Sequence, residues 1–171
     1  PNLYAQHMTA LGSHIGVGNL TRIDFSYHSL GNEGLAALAQ SYNFVGLKAL
    51  KLSKCGILAG GLEALVRAPF YRQLVELHLG SNDLGGDEIA PLVENGKDLA
   101  LSNLQLSSNP LGAEGAAVLA GANVPTLREL DLYDCEFEPA GASALARYAG
   151  PELDRLQLSM NRLGDSGIRA L

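Results

Sequence analysis

ALSNLQLSSNPLGAEGAAVLAGA, residues 100–122, is the stretch on which the architecture of this chain turns. Its leucines fall at Leu101, Leu104, Leu106 and Leu111, with Asn109 between the last two. Written as L-x-x-L-x-L-x-x-N-x-L, the pattern recurs in six registers. These start at Leu20 (LTRIDFSYHSL), Leu47 (LKALKLSKCGI), Leu74 (LVELHLGSNDL), Leu101 (LSNLQLSSNPL), Leu127 (LRELDLYDCEF) and Leu153 (LDRLQLSMNRL). The steps between starts are 27, 27, 27, 26 and 26 residues. A unit this short cannot bury its own apolar face, so the period implies identical units stacked on one another.

Each position has a physical reading. In a short strand alternate side chains share a face, so Leu104 and Leu106 point to the core and Asn103, Gln105 and Ser107 face outward. Asn109 lies where the chain bends away, and its amide can bond backbone groups of that bend and of the neighbouring coil. Without it, buried donors would be orphaned at roughly 1–3 kcal/mol each. Leucines and asparagine are therefore scaffold, not catalysis.

The second half of each unit predicts a helix: GNEGLAALA (31–39), GGLEALVRA (60–68), GDEIAPLVE (86–94), GAEGAAVLA (112–120), EPAGASALA (138–146) and GDSGIRAL (164–171). Pairs such as Leu35 with Leu38 and Leu62 with Leu65 give an apolar stripe at helical spacing. Glu33, Glu88, Glu114 and Asp165 fall near first turns, where negative charge complements the helix dipole. Glycines at 34, 61, 115, 141 and 167 share one slot, which predicts close approach between coils; Glu88 replaces glycine there in the third unit.

This strand-plus-helix repeat, with Asn or Cys in the bend and an LGxxGxxxLA helical half, resembles the ribonuclease-inhibitor-like class of leucine-rich-repeat proteins. That class includes ribonuclease inhibitor, the Ran GTPase-activating proteins and the sensor ends of NOD-like receptors. The resemblance covers nearly the whole chain. It implies an α/β solenoid, a horseshoe with a parallel β-sheet on its concave face and helices on its convex face, used mostly to bind proteins. It does not choose among functions, which reside in sites carried by a fold. Residues 1–171 read as one such domain, with a partial repeat and lead-in over 1–19 before the six repeats. Leu11 sits where later helices have Leu38, Leu65 and Leu92, and the chain closes inside its sixth helix without a polar cap. The expectation is a piece of a longer protein.

The composition bounds the function. A net charge of −6, with 47% apolar and 18% charged residues, argues for a globular domain and against nucleic-acid or anionic-membrane binding. The two cysteines, Cys55 and Cys135, occupy the asparagine slot of repeats two and five. At about 4.8 Å per strand they lie about 14 Å or more apart, too far to pair. They read as buried thiols, and the lack of disulfides points to a reducing, cytoplasmic setting, against which stands the lone sequon Asn19-Leu20-Thr21. Signatures of zinc proteases, nucleophile elbows and phosphate loops are absent, and His7, His14, His28 and His78 have no metal-ligand spacing. No enzyme activity, cofactor or metal is expected.

The outward strand positions remain. Arg22, Asp24 and Tyr27 come from repeat one, Lys51 and Lys54 from repeat two, and Glu76 and His78 from repeat three. Glu129, Asp131, Tyr133 and Asp134 come from repeat five, and Arg155 and Met160 from repeat six. Lys51 with Lys54 predicts a basic patch; Glu129, Asp131 and Asp134 around Tyr133 predict an acidic one, and aromatics ringed by charge are common at hot spots. The expectation is a non-catalytic recognition module that binds a protein, or other domains of its own chain, through the concave face. Two alternatives stay open: a GTPase-activating or similar accessory regulator using Arg22 or Arg155, and a structural spacer. The helical face offers Arg67, Tyr71, Arg147 and Tyr148 as a competing surface.

Overall fold

Every repeat contributes one three-residue strand to a single sheet. In the computed structural model, which describes residues 4–94, 96–148 and 152–171, these are β1 (Arg22–Asp24), β2 (Ala49–Lys51), β3 (Glu76–His78), β4 (Asn103–Gln105), β5 (Glu129–Asp131) and β6 (Arg155–Gln157). They pair in parallel and in chain order, with Leu50, Leu77, Leu104, Leu130 and Leu156 in one row across the sheet. Helices α1 (Ala5–Ser13), α2 (Gly31–Ala39), α3 (Ala59–Val66), α4 (Ala90–Val93), α5 (Gly112–Gly121), α6 (Pro139–Leu145) and α7 (Gly164–Ala170) form the opposite, convex layer. The row leucines and the helix stripe meet between the layers, where Leu35, Leu38, Leu50, Leu62, Leu65 and Leu77 are fully buried. None of the described helices is long and apolar enough to cross a membrane.

The bend slot ties successive coils together. Asn82 Nδ2 donates to Leu79 O of its own repeat and to Leu52 O of the repeat before, both at 2.8 Å. Its Oδ1 accepts from Cys55 N (2.9 Å) and Ile57 N (3.1 Å) of that preceding repeat. Asn109 repeats the pattern one coil later, accepting from Asn82 N (2.9 Å) and Leu84 N (3.1 Å), and Asn161 does so for Cys135 N and Phe137 N. In repeat one His28 imitates half of this, its Nδ1 lying 3.2 Å from Phe25 O and 3.1 Å from Ser26 O. Cys55 and Cys135, both fully buried, keep the backward donor, Sγ–H to Phe25 O (3.1 Å) and to Leu106 O (3.3 Å), with longer contacts of 3.6 Å to Ser53 O and Tyr133 O of their own turns.

Because a thiol offers no bridging acceptor, the turn before each cysteine closes on itself. Leu30 N donates to His28 O and Leu111 N to Asn109 O, both at 2.7 Å. The left-handed residue then falls three beyond the slot, at Gly31 and Gly112. Where asparagine follows, it falls one beyond, at Gly56, Asp83 and Glu136. The slot residue of one repeat thus goes with the turn type of the repeat before it.

Two expectations about the helical layer need correction. The third repeat has no full helix: a 3-10 turn over Asp87–Ile89 precedes the four residues of α4. Glu88, in the glycine slot, turns back so that its Oε2 accepts from Gly85 N at 2.6 Å, and Pro91 opens the shortened helix. Nor is the glycine slot uniformly a contact between coils. A Cβ at Gly34 would strike Leu30 of its own turn at 2.5 Å, whereas one at Gly61 would strike Asn32 Oδ1 of the previous coil at 2.7 Å and one at Gly141 has ordinary room.

Removing Asn109 orphans two buried amides, so Asn109→Ala is expected to cost roughly 2–6 kcal/mol. Leu104→Ala, at a site 1% exposed, should cost about 2–5 kcal/mol through its cavity. Asn109→Asp preserves shape and acceptor but sets oxygen against the Leu79 and Leu106 carbonyls, so urea unfolding should find it destabilised like the alanine variant.

Candidate functional site

On the concave face the side chains fall into rows that run across the strands. The first strand position gives Arg22, Ala49, Glu76, Asn103, Glu129 and Arg155; the third gives Asp24, Lys51, His78, Gln105, Asp131 and Gln157. Two residues further on lie Ser26, Ser53, Gly80, Ser107, Tyr133 and Ser159. The next position, Tyr27, Lys54, Ser81, Ser108, Asp134 and Met160, is left-handed in all six repeats, with φ from 52° to 66°. That geometry lets the ladder continue beyond the strands, as in Tyr27 N to Ser53 O and Lys54 N to Gly80 O, both 2.8 Å. It also turns these side chains outward as a rim, on which Tyr27 is 79% and Met160 68% exposed.

Repeats one to three are knit by one carboxylate. Glu76 Oε2 meets Arg22 Nη2 at 3.1 Å, and its Oε1 meets Lys51 Nζ at 3.1 Å. The Arg22 bridge spans two strand steps and passes over Ala49, which is why that outward position is buried. His78 is also 8% exposed and not the open surface residue the sequence predicts, because Lys51 stands directly across from it and Glu76 shares its face of the strand. Its Nε2 lies 2.7 Å from Glu76 Oε1 but outside hydrogen-bonding direction. The expected basic patch is therefore largely neutralised, and Lys54 carries the cation to the rim.

In repeat five, Glu129 accepts from Asn103 Nδ2 at 2.8 Å and lies 3.6 Å from Arg155 Nη1. Asp131 Oδ1 accepts from Tyr133 N at 3.0 Å, as Asp24 Oδ1 does from Ser26 N at 2.9 Å, so both aspartates brace the turn beyond their strand. Asp134 and Tyr133 are the exposed members of the acidic group. The bracing role was legible in D-x-Y and D-x-S as turn signals; Asn103, which links repeats four and five, had no signal beyond its row. On the helical face Arg67 is exposed, but Tyr71 is buried with its hydroxyl donating to Leu92 O at 2.6 Å, and Tyr148 is half-buried.

Electrostatics follow from these contacts. Burial alone would raise the Glu76 carboxyl, but Lys51, His78 and Arg22 outweigh it and hold it below the usual range. The Ser26 hydroxyl and amide hold Asp24 low. Burial pushes the Cys55 thiol up to about 11 and the Cys135 thiol up to about 12, so neither is a nucleophile near neutrality. Burial, helped by Lys51, lowers His78 from its ordinary 6.5. No group of three or more His, Cys, Asp or Glu among the described residues could hold a metal ion.

With this geometry in hand, the relatives of the chain can be placed. The family model described as Leucine Rich repeat matches residues 19–39, 101–120, 125–146 and 153–171. Ribonuclease inhibitor of Mus musculus is 34% identical over 191 residues, spanning 90% of this chain and 42% of that protein. NACHT, LRR and PYD domains-containing protein 5 of Bos taurus is 30% identical over 157 residues, spanning 89% of this chain and 12% of that protein. The chain thus spans less than half the length of these curated relatives. Among solved structures, an internalin of Listeria monocytogenes superposes with a TM-score of 0.58 at 21% identity, over 92% of this chain and 48% of that one, which speaks to the fold.

His78 gives a test of the face's internal charge. The unfolded histidine takes its proton near its ordinary 6.5 while the folded one resists it. Stability is therefore full above that value and is lost as pH falls through it. Melting curves at about pH 7.5 and about pH 5.5 should show a drop that His78→Gln flattens, since the depressed carboxylates act only at lower pH.

Proposed function

This chain belongs to the leucine-rich-repeat family, as a protein related to ribonuclease inhibitor, and on that premise we propose that it is a non-catalytic recognition module whose concave face binds a protein. The observation that carries this reading is the split between scaffold and rim. Leucines, bend asparagines and cysteines are consumed by the core and the ladder, and Glu76 neutralises its own neighbours. Left projecting are Tyr27, Lys54, Tyr133, Asp134 and Met160, beside the exposed Arg22, Asp24 and Arg155, on a surface fixed by backbone hydrogen bonds. Exposed aromatics beside charges on a rigid frame lose little entropy when a partner covers them.

Among the described residues, the groups that catalysis would draw on are already committed elsewhere. The two thiols are buried and protonated, and Arg22 and Arg155 sit against Glu76 and Glu129, which disfavours either as a guanidinium donated to a nucleotide. Free buried thiols also favour a reducing intracellular setting. The partner is a protein, with no nucleic acid, membrane, metal or cofactor involved.

Capture from native lysate with the chain and with Tyr133→Ala/Asp134→Lys as baits tests the reading. Asp131 is left intact because its carboxylate braces the turn. A protein retained by the first bait and lost by the second, at equal melting temperature, is the expected result. Identical capture by both, or capture sensitive only to changes on the helical face, refutes a concave site at repeat five.

A further inference from the structure

Repeat six ends the described sheet with its apolar side uncovered. Leu156 is 39% exposed, although Leu50, Leu77, Leu104 and Leu130 in the same row are buried. On α7, Ile168 and Leu171 stand 61% and 49% exposed at the offsets that hold the buried Leu35 and Leu38 of repeat one and Leu62 and Leu65 of repeat two. The ladder stops at the same edge. Leu132 N and Asp134 N of repeat five donate to Gln157 O and Ser159 O of repeat six, at 2.9 and 3.0 Å, and the equivalent donors of repeat six, Leu158 N and Met160 N, point off the sheet. Leu106 O accepts from Asn109 Nδ2 of its own repeat and from Cys135 Sγ–H of the next, whereas its counterpart Leu158 O accepts, among the described residues, from Asn161 Nδ2 alone. Groups in this order fit one more coil of the same kind.

The bend of repeat six narrows the choice of coil. Where an asparagine follows, the residue one beyond the slot is left-handed, and this turns the amides on either side of it toward one point, as Cys55 N and Ile57 N converge on Asn82 Oδ1 around Gly56. Where a cysteine follows, that residue is not left-handed. The glycine three beyond the slot is, and its amide donates to the carbonyl of the cysteine itself: Gly31 N to Cys55 O at 2.9 Å, Gly112 N to Cys135 O at 3.1 Å. Repeat six has this second form. Arg162, one beyond Asn161, is not left-handed, while Gly164, three beyond, has a φ of 58°. Leu163 before it, at φ −65° and ψ −30°, matches Leu30 at −74° and −42° and Leu111 at −69° and −36°. Glycine alone does not impose the form, since Gly85 holds the same offset ahead of Asn109 without a left-handed φ.

We infer that the open edge of repeat six receives a further leucine-rich coil in series with this chain, and that the bend of that coil carries a cysteine. An asparagine there would bring an acceptor that no converging amides meet, buried and unsatisfied. A thiol fills the second lone pair of Leu158 O and brings no such acceptor. A second copy arriving head to tail is the poorer fit. To set its β1 beside β6 it must also place α1, which packs on α2, where α7 already stands. The occupying strand therefore comes with no helix of its own ahead of it, as a segment continuing from α7 does.

The test is the whole chain continued past Leu171 by the sequence of residues 146–152 and then of 127–152, a copy of repeat five, made once with its cysteine and once with asparagine in that slot. In the cysteine form, hydrogen exchange at the Leu158 and Met160 amides should slow by roughly tenfold or more against the chain that ends at Leu171. Urea unfolding should give the cysteine form a folding constant roughly tenfold or more above that of the asparagine form. Moving the left-handed residue, with Arg162→Gly and Gly164→Ala together, should narrow or reverse that preference, which a cysteine favoured for its packing alone would keep. A native reading frame past Leu171 should likewise put a cysteine 26 or 27 residues after Asn161, the spacing of the other slots. The proposal is overturned by unchanged exchange at Leu158 and Met160 in the cysteine form, by an asparagine form as stable or more so, by a preference that ignores the moved turn, or by asparagine in the native slot. It is overturned too if the chain ending at Leu171 protects the same two amides by dimerising as its concentration rises.

Discussion

Everything in this molecule depends on how the bend after each strand satisfies its buried backbone. A three-residue strand leaves the chain turning away inside the protein, where unpaired amides and carbonyls are costly. An asparagine amide resolves this from both ends at once, donating to carbonyls of two coils and accepting from two amides of the preceding turn, as Asn82 and Asn109 do. Because each amide reaches backward, every repeat completes the one before it. The sheet, its register and the stacking of leucines follow from that backward reach, and so does the coupling between slot residue and turn type. A cysteine supplies the donor alone, and the turn before it must find its own acceptor.

The scaffold decides which side chains are free. Neighbours within a row on the concave face are spaced by the sheet itself, about 4.8 Å apart, which is close enough for charges to find one another before any partner arrives. Glu76 demonstrates the effect: one carboxylate gathers Arg22, Lys51 and His78. Such pairing keeps a crowded charged face compatible with the fold, and it leaves Lys54 and Asp134 as exposed charges on the rim.

Legibility in the sequence followed the same division. The period, the strand rows, the core leucines and the bend slot could all be read because repetition turns weak local signals into one strong pattern, six times over. The helix of repeat three could not, since Glu88 in the glycine slot and Pro91 after it shorten a segment whose apolar spacing alone looks ordinary. The face residues were located by row, but their partners were not. Whether Lys51 is free or bonded to Glu76 depends on side chains in two adjacent repeats, a pairing that no single repeat contains. The burial of His78 and Ala49 has that same origin.

The rim carries one more consequence. A left-handed backbone costs a residue with a Cβ about 1–2 kcal/mol, and glycine almost nothing. The ladder demands that conformation at six equivalent positions, and this chain contains 20 glycines. None stands at those six; tyrosine, lysine, two serines, aspartate and methionine do. Serine and aspartate can soften the cost with local hydrogen bonds, but tyrosine, lysine and methionine cannot. Tyr27, Lys54 and Met160 therefore hold positions where the backbone alone would be better served by glycine, and where the side chain contributes little to the core. The cost falls on the most projecting line of the face, so glycine at Tyr27, Lys54 or Met160 would relieve the backbone there without opening a cavity in the core.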